Sequence, residues 1–172
     1  RQFYGNDNKV TFSSETPTVI YATNGGGKSA ILNAFTWAFY DSFSPSFKLK
    51  NQIVNKRAIA EANIKEEITA TVKIIFTHNK DQYVVIKSKT TVKTDNLNNY
   101  ENKSGTDISM QSNPGDGDWK GVDDPIETIN RIIPKDIHNY FFFDGERMEK
   151  MVSEDNGKRK ELKNAANKLS GI

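Results

Sequence analysis

The spacing of hydrophobic positions changes several times along the chain, and each change predicts an element. Lys9–Phe12 and Thr18–Tyr21 are short β-branched and aromatic runs on either side of a polar turn, Ser13–Pro17, which predicts two strands. From Ile31 to Phe39 nearly every position is apolar, with only Asn33 and Thr36 interrupting. That pattern predicts a centrally buried helix whose Trp37 and phenylalanines are core. Asp41–Lys50 reads as a loop, and Asn51–Ala62 as a weak helix carrying Lys56 and Arg57. Ile68, Ala70, Val72, Ile74 and Phe76 then alternate with polar residues, the period of a half-buried antiparallel strand. His78–Gln82 reads as its turn and Tyr83–Val92 as the return strand of a hairpin. Thr94–Gly121 is poor in apolar residues and predicts a flexible surface excursion, with one short strand near Ile108–Met110. Asp123-Asp124-Pro125 opens a helix bearing Ile126, Ile129 and Ile132, which Ile133-Pro134 ends. Tyr140–Phe143 predicts a buried strand, and Leu162, Ala165, Ala166 and Leu169 predict the root of a coiled coil over residues 156–172.

With 172 residues the chain is long enough for one domain with a real core. Its 24 Lys+Arg against 22 Asp+Glu nearly cancel, so bulk charge does not mark a nucleic-acid binder. The absence of cysteine excludes a disulfide scaffold and a thiolate metal site. No apolar run approaches the roughly 18 residues needed to cross a bilayer, and no signal peptide is visible. The first residue is Arg1, close to a predicted strand, so we expect residues upstream and a cytoplasmic piece of something longer.

The candidate chemistry sits between the second strand and the first helix. Ala22-Thr23-Asn24-Gly25-Gly26-Gly27-Lys28-Ser29 follows the order strand, glycine loop, Lys-Ser, helix that a phosphate-binding P-loop requires. Glycines let backbone N–H groups approach phosphate oxygens closely, and the helix start adds its unpaired N–H groups and positive dipole end. Lys28 supplies a charge for the β- and γ-phosphates, and Ser29 a hydroxyl for Mg²⁺. The consensus begins on glycine where this chain has Ala22, tolerable if φ at 22 stays negative. The bland alternative is a glycine turn ahead of a core helix.

Asp144 is the second candidate, delivered at the end of the aromatic strand and followed by Gly145 and Glu146. In P-loop folds the nucleotide lies beyond the carboxyl ends of the strands, where a carboxylate can meet Mg²⁺ directly or through water. Two readings stay open: a Walker-B-like metal strand, or a loop between the lobes of an ABC-type head that senses the γ-phosphate and the metal. A plain Asp-Gly turn is the bland third. Leu169-Ser170-Gly171 lacks the second glycine of an ABC signature, since Ile172 follows, and a helix-ending glycine explains it.

Arg1-Gln2-Phe3-Tyr4-Gly5, the segment A-T-N-G-G-G-K-S-A-I-L-N-A-F-T-W-A-F-Y and the segment N-Y-F-F-F-D-G-E-R-M-E resemble the amino-terminal half of an SMC-like ATPase head. The pattern is most similar to the DndD family of bacterial DNA phosphorothioation and phage-defence ATPases. N-G-x-G-K-[ST] alone would also fit SbcC, RecN or RecF. The resemblance implies an α/β P-loop NTPase fold: an ABC/SMC-type head lobe over residues 1–155, with a mixed sheet and an antiparallel β-hairpin, running into a coiled coil. It implies ATP and Mg²⁺ as cofactors, Arg1 near the adenine or ribose, and Asn24, Gly25, Gly27, Lys28 and Ser29 on the phosphates and metal. Thr23, Gly26 and Ala30 complete the nucleotide-binding stretch, and Asp144 stands where many relatives have the glutamine of Q-G-E. The same resemblance implies a carboxy-terminal lobe as partner, a homodimer of heads sandwiching ATP, and DNA with other defence or modification proteins as further partners. Hydrolysis would need that second lobe, so the piece alone is expected to be inactive. Lys48, Lys50, Lys56 and Arg57 form a modest basic cluster for DNA phosphates, with a solvated face as the bland reading. The other classes weighed are a nucleotide-gated interaction module with little hydrolysis and a small P-loop kinase or GTPase; the latter lacks an Asn-Lys-x-Asp sequence.

Overall fold

A computed structural model describes residues 8–16, 18–23, 25–44, 47, 52–115 and 117–135. The chain divides into two compact units, Arg1–Pro125 and Ile126–Ile172. Arg1, Asn24, Lys48, Lys50, the strand expected at Tyr140–Phe143, Asp144 and the coiled-coil root at 156–172 lie outside the described residues.

The alternating run folds as the sequence predicts. Strands β1 (Glu67–His78) and β2 (Asp81–Lys93) pair antiparallel from Glu67↔Val92 to His78↔Asp81. The turn is tighter than the five residues expected. Only Asn79 and Lys80 lie between the strands, with φ of 51° and 76°. Positive φ at both turn residues matches the right-handed twist of the flanking strands, so pairing continues to the last residue on each side.

The excursion expected over 94–121 holds three strands: β3 (Tyr100–Asn102), β4 (Asp107–Asn113) and β5 (Lys120–Gly121). The sheet order is β1-β2-β4-β5, with β3 beside the last residues of β2, and every pairing is antiparallel. Long β2 is the template. It offers a second edge on which a polar segment gains a full ladder while burying little more than Met110, opposite Val85. The mixed sheet expected from the resemblance is antiparallel among the described residues.

Helix α1 (Lys28–Tyr40) packs on β1 and β2. Phe39 meets Phe76 edge-on at 5.8 Å, and Phe35 meets Phe12 at 5.7 Å. Burial is uneven along it: Trp37, Ala38, Phe39 and Tyr40 are buried, while Ile31, Leu32, Ala34 and Phe35 are half-buried. The two polar interruptions are buried and satisfied. Asn33 Oδ1 accepts from the Ser44 N–H at 2.7 Å, and Thr36 donates to the Asn33 carbonyl at 3.4 Å. Burial pushes the Tyr40 phenol far above its ordinary pKa.

Three lysines of β2, of which Lys87 and Lys93 are buried, tie other segments of the first unit to the sheet. Lys87, only 5% exposed, donates to Asp41 at 2.9 Å and stands 5.5 Å over the Trp37 ring. Lys89 donates to the carbonyls of Lys103 and Gly105, at 2.6 and 2.5 Å. Lys93 donates to the carbonyls of Ala60 and Ala62, closing the end of α2 (Lys56–Glu61). That helix is shorter than the Asn51–Ala62 expected because Asn55 caps it, accepting from the Arg57 N–H at 2.8 Å.

The two strands expected ahead of the phosphate loop do not form; Lys9–Phe12 and Thr18–Thr23 are irregular. A strand requires a neighbour for its N–H and C=O groups, and none is present among the described residues. The polar turn between them does form, with Ser13 Oγ accepting from the N–H groups of Glu15 and Thr16. Helix α3 (Pro125–Ile132) starts on its proline and ends ahead of Pro134, as the sequence predicts.

Candidate phosphate-binding loop

Residues 22–29 form a loop that closes on itself and opens directly into α1. The Gly26 N–H donates to the Thr23 carbonyl at 2.9 Å, and Gly25 and Gly27 take φ of 83° and 92°. Those left-handed values are what glycine supplies without strain. Gly27 is the residue before the first helical turn, its carbonyl accepting from Ala30 at 3.0 Å and Ile31 at 3.2 Å. It brings no capping side chain. Among the described residues the N–H groups of Lys28 and Ser29 meet no acceptor, and both side chains are exposed. Ala22 is absent from the positive-φ residues, so the condition set by the missing consensus glycine is met.

Lys28 Nζ donates to the carbonyls of Ala22 at 2.5 Å and Thr23 at 3.2 Å. Its partners are neutral acceptors, not a carboxylate. Among the described residues the ammonium pairs with no carboxylate, the arrangement a phosphate oxygen would complete. The carbonyls of Ala22 and Thr23 were not singled out from sequence, because backbone acceptors carry no residue signature.

The opposite end of α1 is anchored. Asp41 ends the helix at φ 55°, with its N–H on the Trp37 carbonyl at 3.1 Å and its carboxylate on Lys87. Trp37 Nε1 is buried with no hydrogen-bond partner among the described residues. Lys87 was missed because the alternation of β2 was read for its apolar positions; a lysine in the inward register was the available signal.

Of the residues expected at the site, Thr23, Gly25, Gly26, Gly27, Lys28, Ser29 and Ala30 come together in one loop and the first turn of its helix. Arg1, Asn24 and Asp144 lie outside the described residues. Of the basic cluster, Lys56 and Arg57 are exposed at the start of α2, and Arg57 pairs with Glu61 at 2.7 Å within the helix. A separate cleft of about 400 Å³ opens on the sheet beside Val84, Ile86, Ile108, Met110 and Val122, and it contains none of the expected residues.

Tested against ATP and Mg²⁺, the loop fits. A methyl group on Gly26 would stand 2.8 Å from Ala22 Cβ and 3.0 Å from the Thr23 carbonyl oxygen, so the loop leaves no room for one. N–H groups without an acceptor and an ammonium without a carboxylate, both among the described residues, and an exposed Ser29 hydroxyl are the donor set that a magnesium-bound polyphosphate asks for. No described helix is long and apolar enough to cross a membrane. No curated protein and no solved structure matches the chain. A model of the AAA domain family matches residues 1–172, the whole sequence, and the chain belongs to that SMC-like family of AAA-type ATPase domains.

Proposed function

We propose that this chain is the ATP-binding half of an SMC-like ATPase head, holding the nucleotide phosphates and Mg²⁺ on the loop 22–29. The observation that carries the reading is the loop itself: left-handed Gly25 and Gly27, and Lys28 and Ser29 exposed at the start of a helix whose first N–H groups have no acceptor among the described residues. In this reading the N–H groups and Lys28 neutralise the β- and γ-phosphates, and the Ser29 hydroxyl orients the metal. Bound Mg²⁺ would supply charge stabilisation at the phosphoryl oxygens. On the resemblance, Asn24 would join the phosphate contacts, Arg1 would serve the nucleoside and Asp144 the metal.

Hydrolysis then belongs to the assembled head. We assign the carboxy-terminal lobe and a second, ATP-sandwiched head as the partners that complete the site, with the isolated chain binding nucleotide only weakly and not turning it over. The motifs N-G-x-G-K-S and F-F-D-G-E-R support a role on or with DNA of the DndD type, in phosphorothioation or a related phage defence.

Lys28→Ala tests the site. Affinity for a fluorescent ATP analogue with Mg²⁺ should fall at least about tenfold, while the melting temperature moves by less than about 2 °C, because among the described residues Lys28 donates only to loop carbonyls. Unchanged affinity would overturn the reading. Steady turnover by the isolated chain would overturn the need for a second lobe.

A further inference from the structure

Ala22 is the one departure from the phosphate-loop consensus, and its position explains a glycine that the consensus does not require. In G-x-x-x-x-G-K-[ST] the first position carries no Cβ, while the fifth takes any residue. Here the arrangement is reversed: Ala22 has a Cβ and the fifth position, Gly26, has none. Gly26 is not a glycine for its backbone, since the positive φ values of the loop fall on Gly25 and Gly27. It is a glycine for space. A Cβ on Gly26 would meet Ala22 Cβ at 2.8 Å, whereas one on Gly25 would meet nothing within 4 Å. Carbon atoms attract from about 3.5 Å outward and repel well inside that.

We propose that Ala22 is a positioning residue of the loop and that Ala22 and Gly26 act as one coupled pair, in which the one Cβ that fits between these two positions has moved from the fifth to the first. The proposal rests on the phosphate-loop reading above. Ala22 is half-buried, its φ is negative, and its carbonyl holds the Lys28 ammonium at 2.5 Å. Alanine therefore fits the backbone here without strain and removes conformations that glycine would allow. One residue sets both the space over Gly26 and the resting place of Lys28. Restoring the consensus glycine at 22 should loosen the loop and weaken binding.

The experiment compares the wild-type chain with Ala22→Gly, Gly26→Ala and the double variant. Two quantities are read: affinity for a fluorescent ATP analogue with Mg²⁺, and melting temperature without nucleotide. Ala22→Gly is expected to weaken binding about two- to fivefold, and Gly26→Ala at least about tenfold. The double variant is expected to recover to within about fivefold of wild type, because the 2.8 Å clash is gone and only the 3.0 Å approach to the Thr23 carbonyl remains. A double variant showing the product of the two single losses overturns the pairing, and so does a Gly26→Ala protein that binds like wild type. If the wild type fails to bind, or Lys28→Ala binds equally well, the phosphate-loop reading falls. The coupling is still read from the melting temperatures, where the double variant must melt above Gly26→Ala; equal melting overturns it.

Discussion

Residues 68–76 and residues 18–21 are both rich in β-branched and aromatic side chains, yet only the first stretch is a strand. The difference lies in where each finds its neighbour. β1 meets β2 across a two-residue turn, so nearly no chain entropy is spent in closing the pair, and the strands then run in register for twelve pairs. The stretch leading into the phosphate loop has no neighbour nearby in sequence. Val19 and Tyr21 are 87% and 94% exposed, and their backbone finds no ladder among the described residues. β-propensity measures fit to an adjacent strand and a covering face, and cannot create either.

Substitutions on the two sides of that contrast should differ most. Met110→Ala, at a site 3% exposed opposite Val85, is expected to cost about 2–5 kcal/mol in urea unfolding. Tyr21→Ala should stay within about 0.5 kcal/mol, as for any exposed side chain with nothing packed on it. A Tyr21→Ala loss as large as that of Met110→Ala would break the comparison and place the entering stretch in a folded core.

Next in size is an asymmetry at the far end of α1. Lys87 is buried while Asp41 remains 66% exposed. Asp41→Asn keeps a residue that tolerates the left-handed backbone, but leaves a buried ammonium uncompensated. It should cost about 2–3 kcal/mol. Lys87→Met removes the buried charge, keeps the stem against Trp37, and leaves Asp41 to water, so it should change stability by less than about 1 kcal/mol. Equal losses in the two variants would mean that the pair matters for its attraction and not for the buried charge.

These cases show what was legible. The hairpin, the proline start of α3 and the loop–helix order at 22–40 are local patterns, and local patterns were readable from residue spacing. The short strand expected near Ile108–Met110 is the middle of β4, but β3 and β5 were nearly invisible, because their residues are polar and pairing with β2 and β4 is what recruits them. The partners of Lys87, Lys89 and Lys93 were invisible for a related reason: they are Asp41 and carbonyls that lie far away in sequence. Within the site, Lys28 and Ser29 could be named from the motif, but the steric pairing of Ala22 with Gly26 required coordinates.

The smallest effect separates two loops that both gather N–H groups. The loop after β2 fills its own: Asp95 accepts from the Asn99 side-chain amide at 2.6 Å, and from the backbone N–H groups of Asn99 and Leu97 at 3.0 and 2.8 Å. Those hydrogen bonds, the Asn99 amide first, hold the Asp95 carboxyl below its ordinary 3.8. A carboxyl lowered by folding stabilises the native loop fully above the ordinary value. That stabilisation is lost as pH falls from there through the lower native value. Amide resonances of Leu97 and Asn99 should therefore shift together on acidification below about pH 4, and Asp95→Asn should abolish the shift. The loop 22–29 contains no carboxylate, so its amides should stay still over the same range and respond instead to added nucleotide. A loop that carries its own anion is finished. In the loop 22–29 the Lys28 ammonium meets only neutral carbonyls among the described residues, so an anion from outside is expected to complete it, and amides of 25–29 that titrate with acid, without nucleotide, would put the two loops in the same class.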